Sequence, residues 1–515
     1  MTALPETSLL DRLVISLPDA YPGPGGACAV LRAGEVIARH AWGWANAERR
    51  IPFTPGTLFR MCSITKQFTC GVVLDAFPDP TVLDDDVAAR LPLLDRAPPR
   101  ALHLCHNQSG LRDYWAVAML HGAPAESPFG DIEAAAVIGA TRTLHFAPGT
   151  RYSYANQNFR LLSDIVQQRT GRSFAEALRT RIFDRSGMHS ALLAADTRAL
   201  PDGTEGYEGN AETGFRPAVN RILWTGDAGM AATLDDMIAW ERHIDATRED
   251  PNALTTRLSA PVAFADGRPA FYGFGLSRRH ELGNPITGHG GALRGWRSHR
   301  LYDRAARVSV VVMFNHLCDA HQAAIDLLAA ARGENRPRPA RGLAVPPWVG
   351  NYIEPETGLA VRISAAPAGQ LRLGYGHSPE LVDLQPDGTA GSDGTRLRPG
   401  DGLWMDRPAE NQSSRLQGFG QASAPHVAGR YRCAERAAEL TVADAGGVFY
   451  GGFSGFLGQG RMEKLAPAGP DVWMLPCYRA LDHTPPGDWT LAFRADGGVT
   501  VGCWLARGLN YARAS

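Results

Sequence analysis

Met61-Cys62-Ser63-Ile64-Thr65-Lys66 places a serine and a lysine three residues apart at the start of a helical pattern predicted over 63–77. Residues i and i+3 of a helix share a face, so hydroxyl and amine can meet. The helix N-terminus adds free N–H groups and positive potential beside the serine. A serine is a weak nucleophile until a base takes its proton. Lysine can be that base where burial or nearby cations depress its pKa; arginine stays protonated and cannot. Of 52 basic residues, two are lysines, Lys66 and Lys464, and the rest are arginine. A chain that uses arginine almost everywhere keeps lysine one turn after Ser63. The plain alternative is a capping serine followed by a surface lysine.

Around that stretch the hydrophobic periods alternate. Residues 26–32 and 36–45 read as a strand hairpin about Ala33-Gly34-Glu35. Helical patterns follow at 158–170, 173–183 and 234–247, and strand patterns at 271–278, 296–303 and 308–314. Strands at both ends with helices between predict an α/β or α+β domain, its antiparallel sheet assembled from both termini and flanked by helices, rather than a Rossmann repeat. An apolar helix over 320–332 ends this first domain, 1–332, and GENRPRPAR over 333–341 is the linker. Beyond it glycine rises, helical periodicity fades, and short apolar runs alternate with PDG, SDG and PGDG turns. Gly350-x-Tyr352 and Gly429-x-Tyr431 echo one another, each followed by an apolar strand about nine residues on. Two small antiparallel β-barrels, 342–424 and 425–515, are expected.

Composition excludes other classes. At 515 residues and 55.5 kDa the chain is long enough for two to four domains. A formal charge of −1 leaves no excess to hold a polyanion, so nucleic acid is not an expected partner. The strongest apolar run, 308–314, is strand-sized and far short of a membrane span. The first twenty residues lack a basic and apolar leader pattern, and the eight cysteines show no C-x-x-C pair. Reduced thiols and a cytoplasmic location are the expectation.

Two further motifs carry chemistry. In Tyr152-Ser153-Tyr154-Ala155-Asn156, Tyr154 can carry a proton to a leaving amine and Asn156 can hold a substrate amide. In Gly288-His289-Gly290-Gly291-Ala292, a histidine precedes two residues whose missing side chains let a backbone approach. His103 and His106 flank Cys105, but no third ligand with sensible spacing accompanies them, so no metal and no cofactor is expected.

Together these motifs resemble the serine β-lactamase and penicillin-binding family, whose signature joins S-x-x-K to a second polar triplet and a K-T-G strand. Tyr154-Ala155-Asn156 is similar to the Y-x-N triplet of class C β-lactamases and D-alanyl-D-alanine carboxypeptidases. The stretch Leu104–Leu111 resembles the family's H-x-x-S-G-L segment through His106, Ser109, Gly110 and Leu111, and residues 146–154 resemble its F-x-P-G-x-x-Y-x-Y segment. His289-Gly290-Gly291 departs from K-T-G in the manner of the branch that holds D-aminopeptidases, D-amino-acid amidases and some esterases. The catalytic match covers about residues 5–332, and the two barrels extend it over the chain.

The resemblance implies an acyl-enzyme on Ser63, Lys66 as general base, Tyr154 as proton carrier to the leaving group, and His289 on the inner edge strand; whether Lys66 or Tyr154 takes the first proton stays open at the level of sequence. It implies an oxyanion hole from the N–H groups of Ser63 and Ala292, with Asn156, Gly290 and Gly291 along the substrate. A neutral histidine in place of lysine weakens preference for a terminal carboxylate. A loop of the last barrel, about 477–488 (CYRALDHTPPGD), is expected to enter the site, with Asp482 meeting a substrate amine. The expected reaction is release of N-terminal D-alanine or another small D-residue from peptides, amides and esters. A β-lactam is the expected covalent inhibitor and a homodimer the expected assembly. An esterase, amidase or β-lactamase-like hydrolase, or a penicillin-binding sensor without turnover, are the alternatives.

Overall fold

The valine-rich strand Val308–Phe314 is buried along its whole length, as is Gly25–Arg32 up to its last residue. Such runs belong in the middle of a sheet covered on both faces. The two pair antiparallel, Val30 opposite Val310, so the sheet is closed across its centre by strands from opposite ends of the domain. The computed structural model describes residues 8–334, 343–421 and 426–514. Its first sheet runs Tyr272–Gly273, Leu276–Glu281, Asn284–Leu293, Trp296–Asp303, Val308–Phe314, Gly25–Arg32, Glu35–Asn46, Ile51–Pro52. Alternate residues of the central strands face opposite layers. Cys28, Val30, Val310 and Val312 pack on the helices Leu9–Ala20 and Ala320–Arg332. Ala27, Ala29, Val311 and Met313 face the larger helical layer that contains Thr65–Ala76, Gln157–Thr170 and Leu234–Thr247.

The helices 234–247 and 320–332 and the strands 296–303 and 308–314 form over the residues their periodicity predicts. The expected strand 271–278 does not form as one element. It is a hairpin that turns at Phe274 and Gly275, with φ of 51° and 74°. Two left-handed residues in succession make a tight two-residue turn, which an apolar run conceals. The expected helix 173–183 begins as Phe174–Leu178 and then widens into a π-turn, Arg179–Phe183.

After the helical domain the chain is antiparallel β-structure. Asn351–Glu354 to Gln412–Leu416 form an eight-stranded meander, and Ile353 and Gln417 exchange N–H···O bonds of 2.8 and 2.9 Å, so the sheet is near-closed. The next sheet, Gly429–Cys433 to Ala506–Arg513, bends as a half-barrel, its first strand joined to its last. The repeat is physical: Tyr352 Oη donates to Trp348 O at 2.5 Å, and Tyr431 Oη to Val427 O at 2.9 Å, each four residues back. Residues 335–341 of the linker and the 424/425 barrel boundary lie outside the described residues. Among the described residues no helix is long and apolar enough to cross a membrane.

Candidate active site

Residues 59–74 are buried except Ser63. The turn that presents it is a short 3₁₀ segment, Cys62–Ile64, entered through Cys62 at φ 51°. Three contacts fix it. Met61 N donates to Met230 O at 3.0 Å, Ser298 Oγ donates to Met61 O at 3.3 Å, and Thr65 Oγ1 donates to Cys62 O at 2.6 Å. A Cβ on Gly291 would sit 2.3 Å from Met61 O, so the edge strand can lie against this turn only with glycine there.

Lys66 is fully buried, and its Nζ donates to Ser63 Oγ at 3.0 Å, Asn156 Oδ1 at 2.8 Å and Asp227 O at 2.7 Å. Burial drives its pKa down to about 8, against the pull of Asp227, Asp113 and Asp482. The three partners are not equivalent. The two carbonyl oxygens only accept, so a neutral amine must spend both its hydrogens on them. Its lone pair then faces the one partner with a proton to give, Ser63. The geometry thus aims the base at the nucleophile.

Asn156 joins this centre to Asp113. Asp113 Oδ2 accepts from Asn156 N at 2.7 Å and Nδ2 at 2.9 Å, while Oδ1 caps the helix Tyr114–Leu120 through Trp115 N at 3.0 Å. One amide hydrogen of Asn156 remains for another acceptor. Burial raises the Asp113 pKa, and these hydrogen bonds oppose the rise.

The Tyr154 phenol bears on the Ser63 hydroxyl, and burial pushes its pKa well above the usual tyrosine value. Lys66 Nζ lies 4.9 Å from the centre of its ring. His289 is buried beside it. His289 Nδ1 is 2.5 Å from Gly290 O and Nε2 is 3.0 Å from Tyr272 Oη. A carbonyl only accepts, so Nδ1 carries the proton and Nε2 accepts from the Tyr272 hydroxyl. Burial first, then Lys66, drives the His289 pKa down to about 3, so the ring is neutral.

His289, Gly290, Gly291 and Ala292 lie on Asn284–Leu293, which pairs with Trp296–Asp303 along its length but with Leu276–Glu281 only as far as Gly288. From His289 onward one edge is unpaired and open to a substrate backbone. A Cβ on Gly290 would meet His299 Nδ1 at 3.0 Å, so this glycine also serves packing. Ala292 is partly exposed on the same edge.

The 477–488 loop brings one carboxylate close to the Lys66 centre. Asp482 is buried, accepts from Thr484 N at 3.0 Å, and acts electrostatically on Lys66 and Tyr154. Burial, then Asp113, pushes its pKa up to about 7. Asp488 closes the loop base, accepting from Cys477 N at 3.2 Å and Arg362 Nη2 at 2.7 Å. A second approach was not visible in the sequence: Asp113 N donates to Leu505 O at 2.9 Å, and Arg112 Nε to Arg507 O at 2.8 Å.

Sequence reasoning singled out Ser63, Lys66, Tyr154, Asn156, His289 and Asp482, which the fold gathers in one place. It missed Asp113, Asp227 and Tyr272, and also Gly275, where a Cβ would lie 2.4 Å from the Lys66 backbone. Asp113 carried a signal, since an aspartate before an apolar run is a helix cap. Asp227 acts on Lys66 through its backbone carbonyl, which no side-chain pattern records, as well as through its carboxylate charge.

A family model described as Beta-lactamase matches residues 10–333, and one described as D-aminopeptidase, domain B matches 343–512. A D-aminopeptidase of Gluconobacter oxydans (strain 621H) is 59% identical over 518 residues, covering 98% of each chain. One from Brucella canis is 47% identical over 510 residues, again covering 98% of each. Among solved structures, the octameric penicillin-binding protein homologue from Pyrococcus abyssi shares the fold, with a TM-score of 0.54 at 16% identity over 98% of each chain.

Proposed function

The chain belongs to the β-lactamase family and is a D-stereospecific serine hydrolase of the D-aminopeptidase type; from that premise we propose how its site releases an N-terminal D-residue. Neutral Lys66 takes the Ser63 proton as Ser63 Oγ attacks the carbonyl carbon. The elevated phenol pKa of Tyr154 leaves it protonated, which suits a carrier of protons to the leaving amine better than a first base. The developing oxyanion is held by the N–H groups of Ser63 and Ala292. Loss of the amine gives the acyl-enzyme, and water releases the D-amino acid. Asn156 aims Lys66 with its carbonyl and offers its spare N–H to the substrate, which lies along Gly290 and Gly291. His289, neutral and tied to Tyr272, supplies no cation for a terminal carboxylate.

One observation carries the aminopeptidase reading: Asp482, from the far end of the chain, lies buried within reach of the Lys66 field. A buried carboxylate there recognises a substrate ammonium. The proposal includes a catalytic domain at 1–332, barrels at 342–424 and 425–515, small D-aminoacyl peptides, amides and esters as substrates, a β-lactam as covalent inhibitor, a homodimer, and a cytoplasmic location. The test is a panel of D-alanyl anilide, L-alanyl anilide, N-acetyl-D-alanyl nitrophenyl ester and a chromogenic cephalosporin. Preferred cleavage of the first supports the proposal; cleavage of the blocked ester alone makes the protein an esterase.

A further inference from the structure

Asp482 sits on a loop without regular structure, so something must hold it in place. The loop's own bonds secure its base and tip to the last domain. Cys477 N donates to Asp488, Leu505 N to Pro486 O at 3.3 Å, and Ala480 N to Thr484 O at 3.0 Å. None of these reaches the catalytic domain. Three residues before Asp482, Arg479 does. Its Nη2 is 2.9 Å from Glu126 Oε1 and its Nη1 is 3.2 Å from Glu208 Oε1.

The two glutamates are shared. Arg294 donates to Glu126 Oε1, lies 3.8 Å from Glu208 Oε1, and donates through Nη2 to Ala125 O at 3.0 Å. Arg294 directly follows the strand Asn284–Leu293, whose stretch from His289 onward is unpaired on one side, and lies two residues beyond Ala292. The cluster is graded in burial: the side chains of Arg294 and Glu208 are 1% and 12% exposed, those of Arg479 and Glu126 35% and 43%. Two positive and two negative charges balance, so the buried Arg294 is not left uncompensated. His483 Nδ1 lies 3.8 Å from Glu208 but adds no charge, since burial and three arginines drive its pKa down to about 3.

We propose that Arg479, Glu126, Glu208 and Arg294 form an ionic latch that registers the Asp482 loop against the open edge strand, so that Arg479 is a positioning residue for recognition of the substrate amine. The inference rests on the proposed role of Asp482. The latch places the amine-binding carboxylate and the Ala292 edge in one rigid relation. Substrates with a free amine use that relation, and N-blocked substrates do not.

The experiment compares kcat and KM for D-alanyl anilide and N-acetyl-D-alanyl nitrophenyl ester in wild type, Arg479→Ala, Arg479→Lys, Glu126→Gln and the Arg479→Ala/Glu126→Gln double variant. Arg479→Ala should raise KM for the anilide about tenfold, with kcat within about twofold and the ester unaffected. Arg479→Lys should recover part of the loss, and the double variant should lose less than the product of the singles. An equal fall for both substrates, or no change, overturns the latch. Asp482→Asn run beside them separates the two ideas. If Asp482→Asn leaves the anilide preference intact, the amine-recognition reading itself fails. If it removes the preference while Arg479→Ala does not, only the latch fails.

Discussion

Three groups must hold the right proton for D-alanyl anilide to react, and the structure sets two of them. Lys66, at about 8, must be neutral, and Asp482, at about 7, must be ionised. Both need to lose a proton, so kcat/KM rises with pH. The substrate amine, near pKa 8, must keep its proton, so kcat/KM falls above about pH 8. Between pH 6 and pH 8 the neutral share of Lys66 grows about fiftyfold and the ionised share of Asp482 about tenfold, while the protonated share of the substrate amine falls about twofold, so kcat/KM should rise about 250-fold. Asp482→Asn removes one ionisation and one ion pair. At pH 8 it should cost about 10- to 100-fold in kcat/KM for the anilide, the worth of a charged hydrogen bond at about 1.4 kcal/mol per decade. The remaining rise should follow Lys66 alone. Its midpoint should move to lower pH, because the Asp482 charge holds the Lys66 pKa up. The same variant has a stability signature. Because the folded-state pKa of Asp482 lies above its ordinary value, the folded protein binds the extra proton between those two pH values. Its cost is absent below about pH 4 and full above about pH 7, so the gain in Tm on Asp482→Asn should appear at pH 8 and vanish at pH 4. The assay is initial rates from pH 5.5 to 9.5 with the N-acetyl ester as control. An undiminished slope in the variant, or a midpoint displaced to higher pH, refutes the reasoning.

Lys66→Arg keeps the charge but removes the base, and should lower kcat about 10²- to 10⁴-fold for both anilide and ester, read by steady-state kinetics. Gly275→Ala should destabilise by about 2–4 kcal/mol in a denaturant titration, because φ is +74° and the new Cβ would lie 2.4 Å from the Lys66 backbone. Tyr272→Phe removes the donor to His289 Nε2 and should raise the His289 pKa, seen by NMR titration of the imidazole; an unmoved titration would show that the Tyr272 bond does not hold the ring neutral.

What was legible in the sequence follows from local physics. Amphipathic helices such as 234–247 and buried strands such as 308–314 announce themselves because their period and their burial arise from the same residues. The hairpin at Phe274-Gly275 did not, because its first turn residue is a phenylalanine in the left-handed region that glycine or asparagine usually fills, and the flanking aromatic residues read as a strand although Gly273 and Gly275 were turn signals.

The chain by itself determined the Ser63–Lys66 pair, since one helical turn sets their separation whatever surrounds them. It also determined the candidates Tyr154, Asn156, His289 and Asp482, by residue type and motif. Tertiary structure alone decided what each one faces. Lys66 becomes a base through the carbonyl of Asp227, 161 residues away, and the amide of Asn156, 90 residues away. Hydrogen-bond direction, burial and field are properties of assembled neighbours, and no local pattern encodes them.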